Sequence, residues 1–579
     1  MEDTAPRRLA LLTVLAAALG LAGGAAAVLL LRLIGLITNL ALFHRVGTDI
    51  PSFADWQPGL LLVPAAMAGG LAVSLLARRW PVIRGHGIPE TMEAVLLRQS
   101  RISPGVAVAK PVSAAVSIGT GGPFGAEGPI IVTGGAMGSL VGQFLHVSPA
   151  ERKILLACGA AAGMAATFGA PLAAVILAFE LLLFEFSTRA LVPLVVASSV
   201  AAGVHSQAFG SGPLFDVPAG SFAGLERLPI YVVVGLACGL FSVLVTRGLF
   251  LVEGAYRRLP VGECWHPVIG AGLFAVVGLA VPQALGVGYD AIGDVLANRY
   301  ALGALCVIGG AKLLAWWLAL GSGTSGGTLA PLLLVGGAFG AILGELGARA
   351  FPGLGIPPGA VALVAMAAVF GSATGATFAA VVFLFELTRD YNVVLPLMLA
   401  TVLAHLVARA LLKETLMTEK LVRRGVPVHT HYEADVLRTT RVSAVMTRAV
   451  ETLRADATVG DALARFGSGP HHHYPLVDPP GRCLGMATWS DLLRDPSASG
   501  ARLLDLVDRD VATVLPTDTV LTAVRRMLEA GVDALAVVDR HRRLEGICTR
   551  TDILRARTRQ FDQERRQEGW LRVWTAARP

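Results

Sequence analysis

Apolar residues dominate the chain from Leu9 to Leu412, in segments separated by short polar or glycine-rich turns. A membrane-spanning helix needs about 20 consecutive apolar residues. The first segment, Leu9–Phe43, is long enough for a tilted span, whereas several others are too short to cross a bilayer alone. The segments after it are Gly59–Ala77, Ile130–Leu145, Ile154–Leu183, Ala190–Ala208, Ile230–Val252, Val268–Ala284, Ala301–Leu320, Leu329–Leu346, Val361–Phe385 and Val393–Leu412. This pattern predicts a multi-pass membrane protein that contains broken helices.

The composition supports a membrane protein and excludes several other classes. Of 579 residues, 54% are hydrophobic and 15% are charged, whereas about a quarter of a soluble domain is charged. The apolar run after Met1–Arg8 is longer than the core of a signal peptide, so we expect a first span and not a cleaved leader. Much of the arginine follows Lys413, which favours a cytoplasmic carboxy-terminal region over nucleic-acid binding. The six cysteines have no spacing typical of a disulfide framework or a zinc site.

The apolar region contains an internal repeat. Three residues recur at an offset of 202, namely Lys110 as Lys312, Gly125 as Gly327 and Pro129 as Pro331. The segment Met164–Ala166 recurs at the same offset, and Phe179–Leu181 recurs as Phe385–Leu387 after a four-residue insertion. Short, glycine-interrupted segments that recur in both halves are typical of transporters built from repeats. The offset leaves open whether the second half is inverted across the membrane.

Glu127 is the strongest candidate for a functional residue. Between Ile102 and Ala150 the only charged residues are Lys110 and Glu127. A carboxylate in so apolar a region is costly unless it is paired or opens onto water, so it indicates a function. Its neighbours in Gly125–Pro129 allow the backbone to approach a ligand and suit a helix start, where free N–H groups attract anions. The segment predicts an anion site that carries its own competing carboxylate.

Two further glycine-rich turns belong with this one. They are Gly85–Pro89 and Ser325–Pro331, and the second corresponds to Gly125–Pro129 through the repeat. A single turn of this kind is more often a tight connection between helices. Three turns, two of them related by the repeat, favour one shared anion site.

These turns resemble the signature turns G-S-G-I-P, G-K/R-E-G-P and G-x-F-x-P of the CLC family of chloride channels and chloride/proton antiporters. The resemblance covers Leu9–Leu412 and implies a mainly α-helical inverted repeat of about eighteen helices. It also implies a homodimer in the bilayer, with one chloride pathway per subunit that is gated by Glu127. The anion-binding residues it implies are Gly85, His86, Gly87, Ile88, Pro89, Gly125, Gly128, Pro129, Gly327, Thr328, Leu329 and Met417.

Three of these positions depart from the family pattern. His86 replaces the usual serine, Leu329 replaces a common phenylalanine and Met417 replaces the chloride-coordinating tyrosine. Backbone N–H groups of Ile88, Thr328 and Leu329 do not depend on these side chains, so the anion site is expected to persist. His86 is either a pH-sensitive donor to the anion or a helix-end histidine bonded to a carbonyl.

Leu181 lies where many antiporters of this family have an inner proton-accepting glutamate, and Glu180 matches the acid before it. Hydrophobic residues at this position are typical of the channels, although some exchangers also lack the glutamate. The sequence therefore favours a voltage- or pH-gated chloride channel, with a proton-coupled antiporter as the alternative.

The region after Leu412 contains a second repeat. Matching positions at an offset of 61 include Thr458 and Thr519, Ala462 and Ala523, Val477 and Val538, Gly485 and Gly546, Thr488 and Thr549, and Asp491 and Asp552. The strand and helix pattern of each copy resembles a CBS domain, and the two copies form a pair. The predicted boundaries are 1–412 for the membrane domain, 413–440 for a linker, 441–497 and 502–558 for the CBS domains and 559–579 for a tail.

The CBS resemblance implies an adenine nucleotide, ATP, ADP or AMP, at Thr488, Asp491, Thr549 and Asp552. The alternative is that each threonine and aspartate pair only caps a helix. The three adjacent histidines 471–473 do not predict a metal site, because adjacent side chains in an extended segment point to alternate faces.

Other functional classes fit less well. We expect no enzyme and no required cofactor, since the H-E-x-x-H motif of an intramembrane metalloprotease is absent from the sequence. A cation transporter would need clustered carboxylates or carbonyl sites. The protein is expected in the plasma membrane with its CBS domains in the cytoplasm.

Overall fold

The computed structural model describes residues 6–145, 147–215, 228–355, 357–424, 437, 440–468, 472–488, 500–507 and 511–555. The chain divides into two compact units, Met1–His431 and Tyr432–Pro579.

The described residues of the first unit are α-helical with short connections. Helices of the first repeat are α1 Pro6–Ala41, α2 Leu62–Arg79, α3 Ile88–Leu97, α4 Pro104–Gly119, α5 Glu127–Phe144, α6 Pro149–Phe168, α7 Pro171–Ala178 and α8 Thr188–Phe209. Those that follow are α9 Leu228–Arg257, α10 His266–Ala280, α11 Tyr289–Leu296, α12 Leu302–Gly321, α13 Leu329–Ala350, α14 Pro358–Thr374, α15 Thr377–Thr388, α16 Val394–Leu411 and α17 Glu419–Arg423. A π-helical turn, Phe179–Leu183, extends α7.

Seven helices in the described ranges are long and apolar enough to cross a membrane, namely α1, α2, α8, α9, α12, α13 and α16 with the short turn before it. The segment formed by α7 and its π-helical turn, together with α10, α14 and α15, is apolar but shorter. Helices α6 and α14 are buried along nearly their whole length and form the centre of the unit. The prediction of a multi-pass membrane protein is confirmed.

The two repeats are related by a local two-fold axis. Helix α5 packs on α6 as α13 packs on α14, and α1 packs on α8 as α9 packs on α16. The equivalent residues Gly125 and Gly327 form an antiparallel bridge. A residue thus pairs with its own counterpart in the opposite chain direction, as the inverted repeat implied by the resemblance requires.

Two apolar segments of the sequence are each two helices in the structure. Ile154–Leu183 breaks between α6 and α7 at Gly169, and Val361–Phe385 breaks between α14 and α15 at Gly375. Both glycines have positive φ, +66° and +81°, which is the left-handed conformation that ends helices. Hydropathy does not report these breaks, because the residues on either side are equally apolar.

The predicted linker began at Lys413, but the membrane unit continues beyond that residue. Leu416 donates its N–H to the carbonyl of Ala373 at 2.9 Å, and α17 packs against α3. Met417 and Leu421 are buried. The burial of these apolar side chains therefore packs the basic segment around α17 against the helical core.

The second unit contains two copies of one α+β arrangement. Its strands are β1 Leu453–Arg454, β2 His473–Val477, β3 Cys483–Thr488, β4 Thr513–Val514, β5 Ala534–Val538 and β6 Leu544–Thr549, and its helices are α18 Val459–Ser468, α19 Leu503–Leu506 and α20 Val520–Ala530. The sheet orders are β1-β2-β3 and β4-β5-β6, with a parallel first pair and an antiparallel second pair in each. Register shifts at Leu476/Val477 and Val537/Val538 fall on equivalent positions, as the offset of 61 predicts.

Candidate functional site

Three glycine-rich turns meet inside the first unit. We call Gly85–Pro89 the first turn, Gly125–Pro129 the second turn and Ser325–Pro331 the third turn. Gly327 donates its N–H to the carbonyl of Gly125 at 2.8 Å, and Gly125 donates to Gly327 in return at 3.2 Å. Gly326 donates to the carbonyl of Gly85 at 3.4 Å. The third turn therefore bonds to both of the others, as the sequence predicted for a shared site.

Glycine is required where the turns touch. A Cβ on Gly128 would overlap the carbonyl oxygen of His86, and a Cβ on Gly87 would lie 2.5 Å from a methyl group of Val132. Gly87 also has a φ of +95°, which disfavours any residue with a side chain. Because these positions have no side chain, the backbone of each turn can approach its neighbours closely.

Three helices begin at these turns. Helix α3 begins at Ile88, α5 at Glu127 and α13 at Leu329. None of the three has a side-chain hydrogen bond from its N-cap residue, although Glu90 of α3 accepts from the N–H of Gly87. The remaining free N–H groups of the first helical turns and the positive ends of three helix dipoles therefore lie at the glycine-rich turns. This arrangement attracts an anion.

The carboxylate of Glu127 is buried, with no solvent exposure. Its Oε1 accepts a hydrogen bond from the Tyr289 hydroxyl at 2.8 Å, whereas Oε2 is buried and has no hydrogen-bond partner in the described part of the chain. The backbone N–H groups of Glu127 itself and of Ala330 are placed as hydrogen-bond donors toward this carboxylate, and the ammonium of Lys312 attracts it through charge. The carboxylate thus has one oxygen bonded to Tyr289, and it lies beside the starts of α5 and α13.

Tyr289, the first residue of α11, was not predicted from the sequence. Tyr289 and Glu127 are 162 positions apart, and a neutral tyrosine causes no anomaly in charge or hydropathy. The repeat could have indicated it, since Lys110 donates to the carbonyl of Gly85 and Lys312 donates to that of Gly286, both at 2.7 Å. The segment that carries Tyr289 is therefore the counterpart of the first turn.

Two other buried polar groups at the turns lack protein partners within the described ranges. They are Nδ1 of His86 and the hydroxyl of Thr328, and each residue is 2% exposed. Buried polar groups without a partner are uncommon in folded proteins, and a ligand is one explanation for them. The Thr328 hydroxyl was not predicted, because only the backbone N–H of this residue was expected to contact the anion.

His86 combines features of both sequence alternatives. Its ring interacts with the backbone carbonyl of Leu416, as a helix-end histidine would. Its Nδ1 remains unpartnered and can donate to an anion only in a form that carries a proton there. The adjacent Met417 is fully buried and offers no O–H donor, unlike a tyrosine.

Leu181 lies in apolar surroundings. It is 5% exposed and lines a cavity of about 10 Å³ with Ile88, Met164 and other apolar residues. No polar side chain in this wall offers a partner to a water molecule or a proton. A larger cavity of about 340 Å³ is lined by Tyr289, His205, Arg32 and Asp49, and so borders the residue that holds Glu127.

In the second unit, Asp552 is committed to local hydrogen bonds. Its Oδ2 accepts from the N–H and hydroxyl of Thr549 at 2.9 and 2.7 Å, and Oδ1 accepts from Thr447 at 3.3 Å. These bonds form the helix cap that the sequence offered as the alternative to nucleotide binding. Thr488 ends β3, whereas Asp491 and His471 lie outside the described residues.

The chain matches two family models. Residues 69–409 match the family model described as voltage gated chloride channel, and residues 442–497 and 504–559 match that of the CBS domain. The chain therefore belongs to the CLC family of anion-transport proteins and carries a pair of CBS domains.

Three individual proteins illustrate the relationship. A ClcB-like chloride channel protein of Ralstonia nicotianae is 30% identical over 60% of this chain and 82% of its own length. The H(+)/Cl(-) exchange transporter ClcA of Citrobacter koseri is 29% identical over 71% of this chain and 88% of its own. A crystal structure of a slow cyanobacterial Cl-/H+ antiporter is similar with a TM-score of 0.62 and 25% identity, and the match covers 73% of this chain and 99% of that one.

Proposed function

We propose that this protein exchanges chloride, or a similar small anion, for protons across the membrane and that Glu127 is its gate. The observation that carries the proposal is the buried carboxylate of Glu127, which has one oxygen bonded to Tyr289 and lies among the starts of three helices. Its relation to proteins named as an H(+)/Cl(-) exchange transporter and a Cl-/H+ antiporter supports exchange over the channel favoured by the sequence.

The anion would bind to backbone N–H groups at the starts of α3, α5 and α13. Thr328 would add its hydroxyl and His86 its Nδ1 when that atom is protonated. An ionised Glu127 occupies the same positive region and excludes the anion by competition. Protonation removes that negative charge, so one carboxylate couples proton binding to anion entry.

The proton would reach Glu127 from the cavity that borders Tyr289. On the path from the other side, Leu181 offers no carboxylate to accept a proton, and the residues that line the cavity around it are apolar. Exchange therefore requires a water chain that bypasses Leu181. This observation favours the second candidate, a chloride channel in which Glu127 gates flux without proton coupling.

A coupling measurement in liposomes separates the two functions. We expect an outward chloride gradient to drive protons uphill into the vesicles, with Glu127→Gln retaining chloride flux and losing proton movement. Glu345→Gln, which removes an acid paired with Arg349 on α13, is the control and should remain coupled. Chloride flux without uphill proton movement in wild type would identify the channel, and movement of cations alone would refute both.

We further propose that the protein is a homodimer in the plasma membrane, with the second unit in the cytoplasm as a regulatory module. The basic residues after Lys413 support the cytoplasmic location, because such residues beside membrane spans are enriched on that side. If an adenine nucleotide binds there, ATP, ADP or AMP should raise the melting temperature of the full-length protein. If none of them does, the caps at Thr549 and Asp552 account for these residues without a nucleotide.

A further inference from the structure

A second polar cavity, of about 400 Å³, lies beside the first turn between α3, the start of α4 and α17. Its charged lining residues are the cationic Arg84, Arg98, Arg101, Lys420 and Arg424 and the anionic Glu90 and Glu93. The wall therefore has an excess of positive charge. No part of the proposed transport mechanism uses this cavity.

Both carboxylates in the wall already have partners. Glu93 accepts from Arg98 at 2.8 Å and also from Arg424. Glu90 accepts from the backbone N–H of Gly87 at 2.9 Å. Glu93 is thus paired with two of the arginines, and Glu90 keeps its charge, so the five cations of the wall still outnumber its two carboxylates.

Three cations in the wall have spare hydrogen-bonding capacity. Arg101 makes no ion pair within the described ranges. Among the described residues, Lys420 has only one ion pair, a long one of 3.9 Å to Glu253. Arg84 pairs through one nitrogen with Glu263 at 2.8 Å, while its Nε is buried without a partner. A ligand rich in negative oxygen atoms would satisfy all three.

We propose that this cavity binds a phosphate-bearing anion, either the headgroup of an anionic lipid or a free polyphosphate. Guanidinium groups match the oxygen geometry of phosphate and bind it in two-point contacts. A cavity of about 400 Å³ is far larger than a halide ion needs, since a single water molecule occupies about 30 Å³. Several separated cations suit a ligand with several charged oxygens.

The ligand would act on the transport pathway through the first turn. An ideal Cβ on Gly85 would lie 2.8 Å from Nζ of Lys420 and 3.1 Å from Oε1 of Glu90. Both charged groups thus border the turn that supplies His86 and Ile88. Drawing Lys420 toward a phosphate changes the charge beside this turn, so occupancy should change the rate of anion flux.

Thermal melting of the full-length protein tests binding without relying on transport. The probes are inorganic pyrophosphate in solution and, separately, phosphatidylglycerol added to neutral detergent micelles. Each should raise the melting temperature of wild type if it is the source of the phosphate group. Arg101→Gln and Lys420→Gln should each weaken apparent binding by about tenfold, because each removes a charge-assisted contact.

Two further variants test whether the ligand binds in this cavity. Glu93→Gln releases Arg98 and Arg424, so it should strengthen binding, a result that a merely damaged fold would not produce. Arg349→Gln removes an arginine from α13, outside the cavity, and should leave binding unchanged. A response to only one probe still supports the proposal and identifies the source. No shift with either probe, or equal shifts in wild type and all four variants, would overturn it.

Discussion

The hydroxyl of Tyr289 holds one oxygen of the Glu127 carboxylate at 2.8 Å and leaves the other without a protein partner. Hydrogen bonds to charged groups stabilise them by about 1.5–3 kcal/mol. Tyr289 therefore favours the ionised carboxylate in the closed position. If Glu127 is the proposed gate, this contribution is large enough to change how much acid is needed to open it.

Tyr289→Phe should open the gate at higher pH. The substitution removes a bond that favours ionised Glu127, so protonation needs less acid, and the midpoint of the flux–pH curve should rise by about one pH unit or more. Liposome flux over a pH series measures this. Tyr256→Phe is the control, since its buried hydroxyl bonds to the Leu318 carbonyl away from the turns. An unchanged midpoint in Tyr289→Phe would contradict the role of the hydroxyl.

Thr328→Val should weaken anion binding without unfolding the protein. The hydroxyl has no protein partner in the described chain, so its loss removes a contact with the anion only, and affinity should fall by roughly fivefold to tenfold. Titration of the anion by calorimetry would measure it. Thr401→Val provides a matched control, because this buried hydroxyl on α16 is also unpartnered. If both variants bind equally, the Thr328 hydroxyl is not a ligand.

Among the individual site residues, the charged residue and the glycines could be predicted from the sequence, whereas the neutral hydroxyl groups could not. Glu127 stands out because a charge among apolar residues is costly, and the turns stand out because only glycine fits their contacts. Tyr289 and the Thr328 hydroxyl cause no such anomaly. Their importance depends on distances between chain segments, which no local pattern contains.

Among the elements, α7 and α15 cap each other. Glu180, after α7, accepts from the N–H groups of Phe378 and Ala379 at 3.1 and 2.9 Å. Glu386, in α15, accepts from Leu172 and Ala173 at 3.0 and 2.7 Å. Each helix start is thus satisfied by a carboxylate from the other repeat. The two repeats cannot separate here without exposing four donors.

Glu180→Ala and Glu386→Ala should destabilise the membrane unit by similar amounts. Each leaves two N–H groups without an acceptor, and loss of a helix cap costs about 1–2 kcal/mol. Melting temperatures in detergent compare them with Glu185→Ala, which removes an exposed acid paired with Lys153 at 3.4 Å. A large effect in only one of the pair would argue against equivalent roles.

The sequence predicted most helices, and the repeat predicted their pairing. It did not predict where long apolar segments break, as at Gly169 and Gly375, because glycine is also common inside membrane helices. The continuation of the membrane unit to α17 was missed for a related reason. Basic residues around Leu421 suggested a linker, whereas burial of a few apolar side chains decides the structure.

For the whole molecule, every proposed transport residue lies in the first unit, Met1–His431. A chain that ends at His431 should therefore retain anion flux in liposomes and lose only regulation by the second unit. Glu127→Gln in the shortened chain should abolish its pH dependence, as in the full-length protein. A shortened chain that folds, by its elution and melting, but carries no anion would show that the second unit is part of the pathway.

The reciprocal bonds between Gly125 and Gly327 also limit how this centre can be built. A residue that pairs with its own counterpart needs two copies of the same segment, facing in opposite directions. A half-length segment of this kind could therefore build the same centre only as two copies that face in opposite directions. In a single chain the two copies are free to differ, so Glu127 is present in one half while the equivalent position of the other half is Leu329.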